Sequence, residues 1–64
     1  MEEIVEFEDV TSINDTPLAL CCFIEGKNVW IPKSQIHTDS EVYRKNQSGK
    51  LIISRWIAEQ KGLV

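Results

Sequence analysis

Ser34, His37, Asp39 and Ser40 are the residue types of a hydrolase triad, offering a nucleophile, a base and an orienting acid. Gathered into one loop, they lack the separated and rigidly supported geometry that proton transfer from a serine requires. A turn tied by its Asp and Ser side chains accounts for them more simply. Cys21, Cys22 and His37 do not have structural zinc spacing either. The sequence therefore predicts no catalytic residue, no metal site and no cofactor, and a chain that is not an enzyme.

Binding chemistry is better represented. Trp30 and Lys33 flank Pro32, and an exposed aromatic beside a cation could stack a base or grip a peptide. The competing reading takes Trp30 inward as core and leaves Lys33 and Gln35 as the exposed residues; alternation along the segment favours it. Tyr43, Arg44, Lys45, Lys50 and Arg55 form a basic cluster that could contact phosphates. Glu2, Glu3, Glu6, Glu8 and Asp9 form an acidic strand that could imitate a phosphate row, or simply keep a strand edge soluble.

These groups are unevenly placed. Residues 1–25 carry seven acids and no Lys or Arg, whereas residues 26–64 carry all seven bases and three acids, so halves of −7 and +4 make up the net charge of −3. Such asymmetry can steer a charged partner or hold the two halves of one small fold together. Sixty-four residues make one expected domain, 1–64, and a chain of this size buries only about 60% of its unfolded surface. Oligomerisation would add burial. No stretch approaches the roughly 20 apolar residues of a membrane span, and Met1-Glu2-Glu3 is the reverse of a basic signal-peptide start. Adjacent cysteines exclude a disulfide framework, which fits a reducing compartment, and the expected location is the cytoplasm.

Several elements must position these residues. Residues 2–10 alternate as a half-buried strand with Val5 and Phe7 on one face. Thr11 to Pro17 has loop composition, and Leu18 to Ile24 is an apolar run that reads as the central strand. Glu25-Gly26-Lys27-Asn28 supplies a turn into a return strand over Val29 to Ile36, with Pro32 marking an edge or bulge. Glu41 to Arg44 and Lys50 to Ile53 read as a second hairpin around Asn46-Gln47-Ser48-Gly49. Ser54 caps a short helix over about residues 55–61, anchored by Trp56 and stopped at Gly62. The expected fold is mainly β, a small α+β domain. Its core would be an antiparallel five-stranded curled sheet or an SH3-like or OB-like barrel, with one short C-terminal helix.

The stretch Cys22 to Ile36, with its Trp-Ile-Pro-Lys-Ser-Gln-Ile segment at Trp30, then Asp39 to Val42 and the Trp-Ile-Ala-Glu-Gln-Lys-Gly-Leu segment at Trp56, resembles a group of small bacteriophage and bacterial proteins without an established activity. The likeness covers about residues 18–64 and implies a phage or prophage accessory protein in a bacterial cytoplasm. It assigns no residue a role. The expected function is a non-catalytic protein-binding module with a host or phage protein as partner and no membrane contact. The alternatives are a nucleic-acid-binding barrel and an acidic inhibitor that mimics nucleic acid to block a host nuclease or defence protein. A homo-oligomer is compatible with each.

Overall fold

The computed structural model describes residues 3–64 and contains one four-stranded antiparallel sheet in the order β3-β2-β1-β4, followed by one short helix. Strand β1 (Ile4–Asp15) is much longer than its alternation predicts, because Thr11 to Asp15, despite loop composition, pairs with β2 (Ala19–Ile24). Residues nearer its start pair with β4 (Ser48–Ser54). Pairing on both sides overrides the local turn preference.

Two irregularities keep β1 in register. Phe7 stands opposite Leu51 and Val10 opposite Gly49, so one extra β1 residue is absorbed where Asp9 adopts φ 56°. Because side chains alternate with period two, this bulge returns Val10 to the same face as Phe7. A second extra residue lies between Ser12 and Asn14. Phe7, Val10 and Ser12 are consequently all buried, while Ile13 is exposed.

The β2–β3 hairpin forms as expected but with a tighter turn. Glu25 (φ 50°) and Gly26 (φ 83°) alone make the loop, a two-residue geometry that suits the strand twist, and Lys27 and Asn28 already belong to β3 (Lys27–Pro32). The return strand ends at Pro32. Lys33–Gln35 then forms a single 3-10 turn, so Lys33 and Gln35 are not strand residues.

The predicted second hairpin is absent, and with it the fifth strand and the closed barrel. Glu41 to Arg44 is irregular, and β4 pairs with β1 instead. The segment after β3 nevertheless covers the outer edge of β4. Ile36 bridges to Ile53, His37 N–H donates to the Ile52 carbonyl (2.8 Å), and Glu41 N–H donates to the Lys50 carbonyl (2.8 Å). Side chains complete the pairing, since Lys50 N–H donates to Glu41 Oε1 (2.8 Å) and Ile52 N–H to Ser40 Oγ (3.3 Å). Gly49 adopts φ 140°, which favours glycine, and a Cβ there would stand 2.6 Å from Glu41 Oε1 and 3.3 Å from Glu41 Cβ, so a side chain would have to displace Glu41 from Lys50 N–H. Val42, from the same segment, is fully buried in the core.

Helix α1 (Arg55–Gln60) begins at Ser54, whose Oγ accepts from Ile57 N–H at 3.3 Å. It ends with Gly62 at φ 71°, Gly62 N–H donating to the Glu59 carbonyl and Leu63 N–H to the Ala58 carbonyl, which returns Leu63 against the core. Ile57 and Ala58 are the buried helix residues, and Trp56 is 56% exposed. Trp56 is thus not the anchor that its size suggested. Ile57→Ala should lower stability by about 2–5 kcal/mol in urea unfolding, whereas Trp56→Ala should cost about 1 kcal/mol or less. Equal losses would return the anchoring role to Trp56.

Candidate functional site

The two edges of the sheet are treated differently. Along β3, Lys33 N–H donates to the Leu18 carbonyl (2.9 Å), which fixes the alternation of the β2–β3 ladder. The pairs Leu20/Ile31, Cys22/Val29 and Ile24/Lys27 exchange hydrogen bonds, and the intervening Asn28, Trp30 and Pro32 direct their backbone groups away from β2. Among the described residues, no loop or side chain bonds to the backbone of Asn28 or Trp30. Pro32 has no N–H to leave unpaired. The β3 edge is therefore open over Asn28 and Trp30, whereas the β4 edge is covered.

The same parity decides which way Trp30 points. Val29 and Ile31 are buried in the core, so Trp30 projects from the opposite face and is 42% exposed. The inward reading of Trp30 is corrected on this point. Its cross-strand partner is Cys21, which is buried on this outer face and takes no part in the core cluster, and Phe23 on β2 adds a second aromatic ring, 46% exposed. Cys22 faces the core, where burial, with Cys21 adding to it, pushes its thiol up to about 12. That thiol remains protonated at neutral pH and is a packing group.

Lys33 does not join Trp30 in an exposed pair. Its ammonium forms an ion pair with Asp15 and stands 5.6 Å from the centre of the Tyr43 ring. The Lys33 hydrogen bond holds the Asp15 carboxyl below the usual carboxylate range against a contrary effect of desolvation, with the Lys33 charge, a backbone N–H of Lys45 and the Arg44 charge assisting. Tyr43, Arg44 and Lys45 are exposed on a loop that Gln47 and Ser12 hold in place. Gln47 Oε1 accepts from the backbone N–H groups of Tyr43 and Arg44 at 2.7 Å each. Buried Ser12 donates through Oγ to the Arg44 carbonyl and accepts from Gln47 N–H (2.8 Å).

The remaining basic residues are dispersed. Lys50 Nζ lies 3.7 Å from Glu6, and Arg55 pairs with Glu59 on its own helix at 3.5 Å. Gln35 Oε1 accepts from the helix-capping Ser54 Oγ at 2.5 Å, which makes it a structural contact. Of the acidic strand, Glu3, Glu6, Glu8 and Asp9 are exposed, and the bulge at Asp9 breaks their regular spacing; Glu2 lies outside the described residues.

The hydrolase-like residues do not assemble. His37 Nδ1 accepts from Asp39 N–H (3.1 Å), while Ser40 Oγ donates to the Val42 carbonyl (3.0 Å) and accepts from Ile52. His37 and Ser34 line a small depression of about 270 Å³ together with Ile4, Gln35, Ile36 and Thr38. Among the described residues, no group of three or more His, Cys, Asp or Glu side chains could hold a metal ion, and no helix is long and apolar enough to cross a membrane.

No family model matches the chain, and no curated protein or solved structure matches it. Sequence reasoning overlooked Asn28 and Phe23 as parts of this surface. The signal was available in Val29 and Ile31, two β-branched residues flanking Trp30, which fit the buried face together only if Trp30 faces outward.

Asp15 provides a pH-dependent test of the fold around Lys33. A carboxylate whose folded pKa is depressed contributes stability above its unfolded pKa, and loses it as pH falls through the folded value. Asp15→Asn should destabilise the chain at pH 7, and its deficit should close in acid as the pH falls below the ordinary carboxylate range and the native Asp15 itself becomes neutral. Urea unfolding at both pH values reads this. A deficit unchanged in acid would remove the charge as its cause.

Proposed function

We propose that the chain is a non-catalytic protein-binding module that presents the β3 edge, with Trp30 at its centre, to a partner protein. The observation that carries this reading is the contrast between the two sheet edges. Segment 36–41 satisfies the β4 backbone with both main-chain and side-chain groups, while the outward groups of Asn28 and Trp30 meet no partner among the described residues. An added strand gains main-chain hydrogen bonds there, and neighbouring side chains supply selectivity. Trp30 and Phe23 provide the large, partly exposed aromatic area that commonly anchors such contacts.

The resemblance of residues 18–64 to small phage and bacterial proteins supports a phage or prophage accessory role, with a host or phage protein as the partner and the bacterial cytoplasm as the setting. A nucleic-acid interface draws less support. Lys33, Lys50 and Arg55 each face an acid within the chain, which leaves Arg44 and Lys45 as the cluster's cations without such a pair among the described residues. The acidic-mimic reading is weakened by the bulge at Asp9 and by the Glu6–Lys50 contact.

Capture experiments with the immobilised chain test the edge directly. Asn28→Pro deletes an N–H that points away from β2, and Trp30→Ala deletes the central ring. Each should weaken binding of a saturable protein partner by about tenfold or more, while Arg44→Glu leaves it unchanged. Undiminished capture by both edge variants would overturn the assignment.

A further inference from the structure

We infer that the β3 edge pairs with the β3 edge of a second copy of this chain, about a two-fold axis that passes between the two Val29 residues. The inference deepens the edge-binding reading above and rests on it. A two-fold pairing of identical edge strands is necessarily antiparallel and uses the same surface on both copies. Few registers are available, because hydrogen-bonded pairs must bring outward-facing residues opposite one another.

With Val29 opposite Val29, Asn28 of each copy faces Trp30 of the other. Asn28 N–H then donates to the Trp30 carbonyl and Trp30 N–H to the Asn28 carbonyl, twice over, so the outward donors and acceptors of both residues are all matched. Pro32, which has no donor, comes opposite Gly26 in the turn, where the partner strand ends. A register shifted to place Trp30 opposite Trp30 instead leaves the Asn28 carbonyl facing the donorless Pro32. A longer foreign strand would likewise meet Pro32 and lose a bond there. The open length of this edge therefore matches its own length.

Charge agrees with the same register. The Val29-centred pairing brings Glu25, in the turn before each β3, toward the Pro32 end of β3 in the other copy, whereas the shifted register brings Lys27 toward that end, where Lys33 follows with its ammonium already held by Asp15. On the outer face, the two Trp30 rings become diagonal neighbours across the axis, at a spacing aromatic side chains can span. The product is an eight-stranded sheet whose two outer edges are both β4, each already covered by segment 36–41.

Sedimentation equilibrium of the full chain should show a monomer–dimer equilibrium and no larger species. Asn28→Pro should raise the dimer dissociation constant at least about tenfold while leaving the thermal unfolding of the monomer in place. For the register, in a background in which Cys21 and Cys22, the cross-strand partners of Trp30 and Val29, are both changed to Ala, Val29→Cys should form a disulfide-linked dimer on mild oxidation, because non-hydrogen-bonded partners stand closest, whereas Trp30→Cys should not. The Cys21→Ala, Cys22→Ala chain, which has no thiol, serves as the control. A chain that stays monomeric at about 1 mM, or that cross-links through Trp30→Cys and not through Val29→Cys, would overturn the inference. A monomer that still binds a foreign protein in a manner sensitive to Asn28→Pro would leave the edge-binding reading standing; loss of both would remove both.

Discussion

The period of two along a β-strand is the constraint on which this small molecule depends, and β1 is where it is hardest to meet. A 12-residue strand pairing with β2 and with β4 must present one consistent face to a core built from few residues. Strict alternation from Phe7 would have turned Val10 and Ser12 outward. The bulge at Asp9 prevents this, placing Val10 in the core and Ser12 under the 43–47 loop. The same residues thereby organise two regions, because Ser12 also accepts from Asn46 N–H through its carbonyl and donates its own N–H to Gln47. Shifting β1 by one residue would empty the core and release the loop together.

That arrangement explains why the acidic and basic halves end up interleaved. β1 carries the acids, and the elements packed around it carry the bases, so Asp15 meets Lys33 on one side and Glu6 meets Lys50 on the other. The exposed Glu6–Lys50 contact is worth little by itself. Asp15 differs because the Lys33 ammonium, a backbone N–H of Lys45 and the more distant Arg44 charge all favour its carboxylate, tying the end of β1 to both the 3-10 turn and the basic loop. Charge here reinforces a register already set by apolar burial.

Features encoded within a few residues were legible in the sequence. The β2–β3 hairpin follows from Gly26 between two apolar runs, the opposed faces of Cys21 and Cys22 from their adjacency, and the helix limits from Ser54 and Gly62. Features set by distant pairing were not. Thr11 to Asp15 has turn residues yet extends β1, and Glu41 to Arg44 resembles a strand yet inserts Val42 into the core while Ser40 and Glu41 take the place of a neighbouring strand's backbone. Both outcomes depend on which strand lies beside β4, and that is decided 40 or so residues away. The candidate surface was legible in part: Pro32 correctly marked an edge, but Trp30 was assigned to the core on an alternation taken in the wrong phase, when its β-branched neighbours Val29 and Ile31 already occupied that face.

An open strand edge bearing an exposed tryptophan is a hazard unless something limits it, since unpaired backbone groups template pairing with any extended chain. The limits here lie at its two ends. Pro32 removes the next outward donor, and the tight Glu25-Gly26 turn bounds the strand at Lys27, just before Asn28. Only the two residues Asn28 and Trp30 therefore offer both a donor and an acceptor, too short a stretch for indefinite sheet growth. The opposite edge contributes nothing to such growth because Ser40 and Glu41 already occupy it. A sheet closed at one edge and open over a short, proline-bounded segment at the other has room for one added strand at that place and none at the opposite edge, which limits its capacity to propagate as an aggregate.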